Sequence, residues 1–169
     1  MIIELSRPIA LTKIRAKGLM MLVEATPEEC AAIASRMELP AIQSLQCRYE
    51  LRLDPDGVSF LADGFLQAAV TQSCIVSAED IDATVEEAFS LRFVPAGAEH
   101  DDPNPDDPDE IPYEGDTIDL GEATAEQLGL ALDPWPRIEG ATVPMIEDED
   151  DSSPFAVLAR RLGSDQNGR

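Results

Sequence analysis

The stretch "SLQCRYELRLDPDGVSFLADGFLQAAV", residues 44–70, decides the fold. In its first part Leu45, Cys47, Tyr49, Leu51 and Leu53 alternate with Gln46, Arg48, Glu50 and Arg52. A period of two marks a half-buried strand, because successive side chains point to opposite faces of a sheet. Asp54-Pro55-Asp56-Gly57 supplies turn chemistry. The alternation then resumes through Val58, Phe60, Ala62, Gly64, Leu66, Ala68 and Val70. Gly64, inside this long strand, is expected to mark a bend or bulge.

Outward from this pair, a turn near "SAED" (77–80) precedes a third strand marked by Val85, Phe89, Leu91 and Phe93. Two weaker strands are expected near 2–11 and 19–25. Three helices carry start signals. "TPEECAAIASRM" opens with Thr26 as N-cap, Pro27 at N1 and Glu29 at N3, a capping box, and Cys30, Ile33, Ala34 and Met37 form its apolar stripe. "DLGEATAEQLGLAL" starts at Asp119, has Glu122 three residues on, and ends before Pro134. "SPFAVLARRLG" has Ser153 as cap and Pro154 at N1. Phe155, Leu158 and Leu162 form its stripe, and Gly163 stops it. The expected class is α+β: about five strands, mostly an antiparallel meander able to curl towards a barrel, packed with two to three helices. Residues 1–138 are expected to form one domain. Residues 139–169 are then an acidic linker and a short amphipathic helix.

The 169 residues carry 12 basic and 34 acidic side chains, a formal charge of −22. Such a surface repels phosphate backbones and anionic lipid and favours basic partners, although it also serves solubility alone. Residues 1–52 hold most of the cations, and no Lys or Arg lies between Arg92 and Arg137. The segment "PAGAEHDDPNPDDPDEIPYEGD" (95–116), rich in Pro and Asp, reads as a disordered or loosely held acidic loop. Glu4 and the lack of a long apolar core argue against a signal peptide at the N-terminus. No run approaches the roughly 20 apolar residues of a membrane span. Three widely spaced cysteines are no disulfide framework and fit a reducing cytoplasm.

Chemistry is sparse. No Gly-rich phosphate loop is present. The one histidine, His100, sits in the acidic loop, away from the fixed geometry a catalytic base needs. "DPNPDDPDE" lacks the Gly and closing Glu of a calcium loop. Cys30 and Cys47 read as core residues. Cys74, in "QSCIVS" (72–77), is nucleophile, metal ligand or filler. With no adjacent base or cation to depress its pKa, filler is favoured. No catalytic residue, metal or cofactor is expected, and the chain reads as non-enzymatic.

Four stretches carry a resemblance: "ATPEECAAIASRMELPAIQSL" (25–45), "GFLQAAVTQSCIVSAEDIDATVEEAFSLRFVP" (64–95), "DTIDLGEATAEQLGLALDPWPR" (116–137) and "SPFAVLARRL" (153–162). In that order they resemble the YceD-like large ribosomal RNA subunit accumulation proteins, in the form typical of alphaproteobacteria. Many members outside that branch carry a C-x-x-C pair where this chain has Cys74-Ile75-Val76-Ser77, and often a second pair after the helix that here runs into "LDPWPR". The resemblance therefore implies that Cys74 is the remnant of a zinc ligand pair. It also implies a role in 23S rRNA accumulation and large-subunit assembly. An acidic factor of that kind is expected to hold a basic ribosomal protein or a pre-50S particle. The rivals are an acidic nucleic-acid mimic or a general binding module for a basic protein, and a metal-dependent rRNA-processing enzyme.

Candidate partner-binding residues are Trp135 and Arg137, held between Pro134 and Pro136, and Phe155, Leu158 and Leu162. Against these, Trp135 closing the core after its helix and the last helix docking on its own domain stay open. Arg7, Lys13, Arg15 and Lys17 are candidate RNA contacts, or else scattered solubilising charges.

Overall fold

A computed structural model describes residues 4–100 and 107–142. In chain order its elements are β1 (Pro8–Ala10), α1 (Leu11–Lys17), β2 (Leu19–Glu24), α2 (Pro27–Arg36), β3 (Ala41–Leu53), β4 (Phe60–Ser73), β5 (Asp80–Pro95), β6 (Asp109–Tyr113), β7 (Thr117–Asp119) and α3 (Leu120–Ala131). The class is α+β. The chain divides into Met1–Glu139 and Gly140–Arg169, and of the second unit only residues 140–142 are described. The helix expected at 153–162, with Phe155, Leu158 and Leu162, lies outside the described residues.

The alternating stretch forms the β3–β4 hairpin, paired antiparallel from Ala41–Thr71 to Leu53–Phe60. Its turn closes with the Gly57 N–H on the Asp54 carbonyl at 2.9 Å, and Gly57 takes φ +77°, which few other residues tolerate. Asp56 accepts the N–H groups of Val58 and Ser59 at 2.8 and 2.7 Å. The Ser59 hydroxyl and these amides, with Arg92 nearby, hold the Asp56 carboxyl down at about 2. The sheet order is β2-β3-β4-β5-β6, with β6 parallel to β5 and every other neighbour antiparallel. β2 and β6 are its edges, so the curl towards a barrel does not reach closure. β1 and β7 form a separate antiparallel pair.

The inner face of the sheet supplies Leu45, Cys47, Tyr49, Leu51, Phe60, Leu66, Leu91 and Phe93 to one core. Cys30, Ile33 and Ala34 of α2 and Leu120 and Leu128 of α3 complete it. Both helices start as their sequences dictate. Thr26 and Glu29 close a reciprocal capping box, and Asp119 accepts the N–H groups of Gly121 and Glu122 at 2.8 and 3.3 Å. Buried Tyr49 donates its hydroxyl to Thr124 Oγ1 at 3.0 Å, since that hydroxyl already donates to the Leu120 carbonyl.

Three local expectations are corrected. The strand near 2–11 is only Pro8–Ala10, followed by α1, whose Leu11 and Ile14 are buried three residues apart while Lys13, Arg15 and Lys17 face out. Gly64 is no bulge: the register runs through it, from Tyr49 to Gly64 to Phe89. The glycine makes room for the Phe89 ring, which packs edge-on against Tyr49 with centroids 5.8 Å apart. The irregularity falls instead between Ile42 and Ser44. Within the acidic segment, Asp109–Tyr113 is a strand rather than a loose loop, because Tyr113 packs on Phe60 and donates its hydroxyl to the Val58 carbonyl at 2.7 Å.

Candidate functional site

Cys74 lies at the end of β4 in a turn closed by its own N–H on the Glu79 carbonyl and the Ala78 N–H on the Cys74 carbonyl, at 2.8 and 2.9 Å. Ala78 reaches φ +59° to complete it. The segment after α3 is stitched to this turn by backbone groups. Gln72 Nε2 donates to the Asp133 carbonyl, and the Ile75 N–H to the Pro136 carbonyl, both at 2.9 Å. The Sγ of Cys74 accepts the N–H groups of Ser77 and Ile138, each at 3.5 Å.

Cys74 is therefore more than filler. It is buried but stands outside the core cluster that contains Cys30 and Cys47. Burial pushes the Cys47 thiol up to about 11 and raises that of Cys30. Cys74 moves the other way, from 9.0 to about 7, chiefly through the Ser77 hydroxyl and then the backbone amides of Ile138 and Ser77. Donors can stabilise a thiolate as cations do. Ser77 supplies the first of them.

A thiol whose pKa is depressed by folding favours the folded state increasingly as pH rises from the folded value to the unfolded one. The contribution is fully present above about 9 and is lost as pH falls through about 7. Urea titrations should thus show the wild type gaining stability between those values relative to Cys74→Ala. Parallel pH profiles for the two proteins would refute the assignment.

The same stitching explains Trp135. Asp133 Oδ1 accepts the Trp135 N–H at 2.9 Å, and backbone bonds tie down both sides of the tryptophan. The side chain is left 68% exposed, so Trp135 does not close the core. Arg137 is exposed beside it. Of the basic candidates, Arg7 is engaged within the chain: its guanidinium grips both Glu29 carboxylate oxygens at 2.8 Å and the Glu24 carbonyl at 2.9 Å. Arg15 stacks over Phe60, 5.3 Å from the ring centre, and donates to the Gly57 carbonyl at 3.3 Å. Lys13 and Lys17 are exposed on α1.

His100 sits on Glu110, with Nδ1 2.6 Å from Oε1. The same carboxylate accepts Arg92 at 2.9 Å. Among the described residues, no three His, Cys, Asp or Glu side chains converge to hold a metal ion, and no helix is long and apolar enough to cross a membrane.

The feature that residue-by-residue reading missed is on β5. Between Arg52 and Arg92 the chain holds no Lys or Arg. Asp80, Asp82, Glu86 and Glu87 all stand exposed on this one long strand. The gap between Arg52 and Arg92 was the signal in the sequence.

The family model described as "Large ribosomal RNA subunit accumulation protein YceD" matches residues 62–160, more than half of the chain. No curated protein and no solved structure matches it.

Proposed function

The chain belongs to the YceD family of large ribosomal RNA subunit accumulation proteins, and from that membership we propose a non-enzymatic, cytoplasmic assembly factor. It supports 23S rRNA accumulation by holding a basic ribosomal protein or a pre-50S particle. The observation that carries this reading is the charge of −22, with no Lys or Arg from 53 to 91 or from 93 to 136. Phosphate contacts require cations, and a surface so acidic suits a basic protein better than RNA. Arg7 and Arg15 already serve the fold, which further lowers the number of cations free for RNA. Trp135 and Arg137 offer an exposed aromatic and guanidinium anchor for the same partner.

Depleting the protein in its own host and measuring the ratio of 23S to 16S rRNA, with precursor ends mapped, tests the proposal. A selective fall in 23S is expected. An unchanged ratio removes it. The rRNA-processing enzyme predicts cleavage of precursor rRNA with Mg²⁺ or Mn²⁺ by the purified protein, and its absence would remove that rival. One observation favours the nucleic-acid mimic: Asp80, Asp82 and Glu86 are ordered on one rigid strand rather than in loops. The mimic predicts that the partner's own nucleic acid displaces this protein while depletion leaves the 23S to 16S ratio unchanged, whereas the assembly factor predicts the selective fall in 23S.

A further inference from the structure

The β5 strand is paired along its whole length on one side, from Phe93–Phe60 to Asp80–Ser73. On the other side β6 takes only Leu91–Pro95. Among the described residues, Asp80–Ser90 is therefore an open strand edge with unpaired backbone donors and acceptors. Open edges are templates for another strand and are commonly blunted by charged side chains, Pro or bulges. This one has no Lys, Pro or bulge, and its charges are all acidic, so they repel another acidic edge but not a basic strand.

Its two faces differ. Asp80, Asp82 and Glu86 project on the outer face with Thr84 and Ala88, while Ile81, Ala83, Val85 and Phe89 lie half-buried on the inner face with the exposed Glu87 among them. A second copy of the same strand would set acids against acids, which disfavours self-pairing. A strand that alternates Lys or Arg with apolar residues complements both faces at once. Its cations lie over the outer acids, and its apolar side chains extend the row Ile81, Val85 and Phe89.

We propose that the Asp80–Ser90 edge of β5 binds its partner by strand addition, accepting an extended segment of a basic protein in which cationic and apolar residues alternate. This rests on the reading of a basic protein partner and names the surface that would hold it. Of the two outer strands of the sheet among the described residues, β2 carries exposed Met20 and Leu22 without a comparable charge signature, and β6 is five residues long with Pro112 within it, so neither assigns a partner.

The test uses the full chain with two synthetic decapeptides, one alternating lysine with valine and one of lysine alone. The alternating peptide is expected to bind and to slow hydrogen exchange at amides within 80–90. Asp80→Lys with Glu86→Lys, at exposed carboxylates on the outer face where the cations would lie, should weaken it by about tenfold or more. The same charge change at exposed Glu114 and Glu139 should cost less than about twofold. Equal binding of polylysine, binding without exchange protection, or equal losses in both variants would each overturn strand addition. In depleted cells the Asp80→Lys, Glu86→Lys chain should fail to restore 23S rRNA. Full restoration would sink the edge while leaving the assembly role intact. An unchanged ratio on depletion itself would sink the assembly role and leave the peptide result standing alone.

Discussion

Gly121→Ala is expected to destabilise the protein by about 3 kcal/mol, through overpacking against backbone. In an ordinary helix interior the same change stabilises by about 1 kcal/mol, since Ala is the better helix former. Here the sign reverses because of what crosses the helix start. A Cβ on Gly121 would lie 2.6 Å from the Leu5 carbonyl oxygen and 2.9 Å from the Arg7 nitrogen. Those atoms cannot retreat independently. The Arg7 N–H is bonded to Asp119 at 2.8 Å, the Arg7 carbonyl accepts from Leu120, and Leu5 is fully buried. Admitting a methyl group thus means lifting the N-terminal segment off α3 and breaking the N-cap. Gly64→Ala is the control. Its Cβ would meet the Phe89 ring at 2.2 Å, but that ring is the end of a half-buried side chain that can swing away. Its cost should be no more than about half as large. Urea midpoints at constant slope measure both, and a Gly121→Ala protein as stable as wild type would refute the packing argument.

The hairpin, the third strand and two helices were legible because each repeats a signal. Leu45 to Leu53 and Phe60 to Val70 sustain a period of two, and Thr26 with Glu29 and Asp119 with Glu122 announce helix starts in their own chemistry. What was not legible depends on partners distant in sequence. α1 rests on two apolar residues, Leu11 and Ile14, too few for a period to emerge. β6 was hidden by acids and prolines, yet Tyr113 reaches Phe60 and Val58 across the sheet. Gly64 stood out but was misread as a bend or bulge, because the ring that needs its space lies on another strand. The Cys74 thiol gains its donors from Ser77, three residues away, and Ile138, far along the chain, so only the first was visible in the local sequence. The acidic edge of β5 required the pairing partners to be known before its openness had any meaning.

Arg92→Ala is expected to cost about 3 kcal/mol near neutral pH, far above a surface ion pair. Arg92 is the one Lys or Arg between Arg52 and Arg137, and its guanidinium serves three carboxylates, two from the hairpin turn and one from β6. Nε meets Asp54 at 2.8 Å, one terminal nitrogen meets Asp56 at 2.9 Å, and the other meets Glu110 at 2.9 Å. Its removal leaves three partly buried acids facing one another where the hairpin turn, β5 and β6 meet. Lysine cannot replace it, because a single ammonium does not present a planar fork to three partners. The pH dependence identifies the cause. In the wild type Asp56 is held at about 2 by the Ser59 hydroxyl, the turn amides and Arg92, and Glu110 is held low by the His100 N–H, the imidazole and Arg92. Depressed carboxylates contribute stability above their unfolded values of 3.8 and 4.5 and lose it as pH falls through the folded ones. The deficit of Arg92→Ala should therefore be greatest near pH 7 and should shrink towards about pH 3 as the orphaned acids protonate. A deficit of the same size at both pH values would mean that Arg92 acts through the packing of its stem. The β6 amides, which depend on the Glu110 link, should exchange faster in the variant than those of β3. Since β6 bounds the open edge of β5, that readout also reports how firmly the end of the proposed binding strand is held.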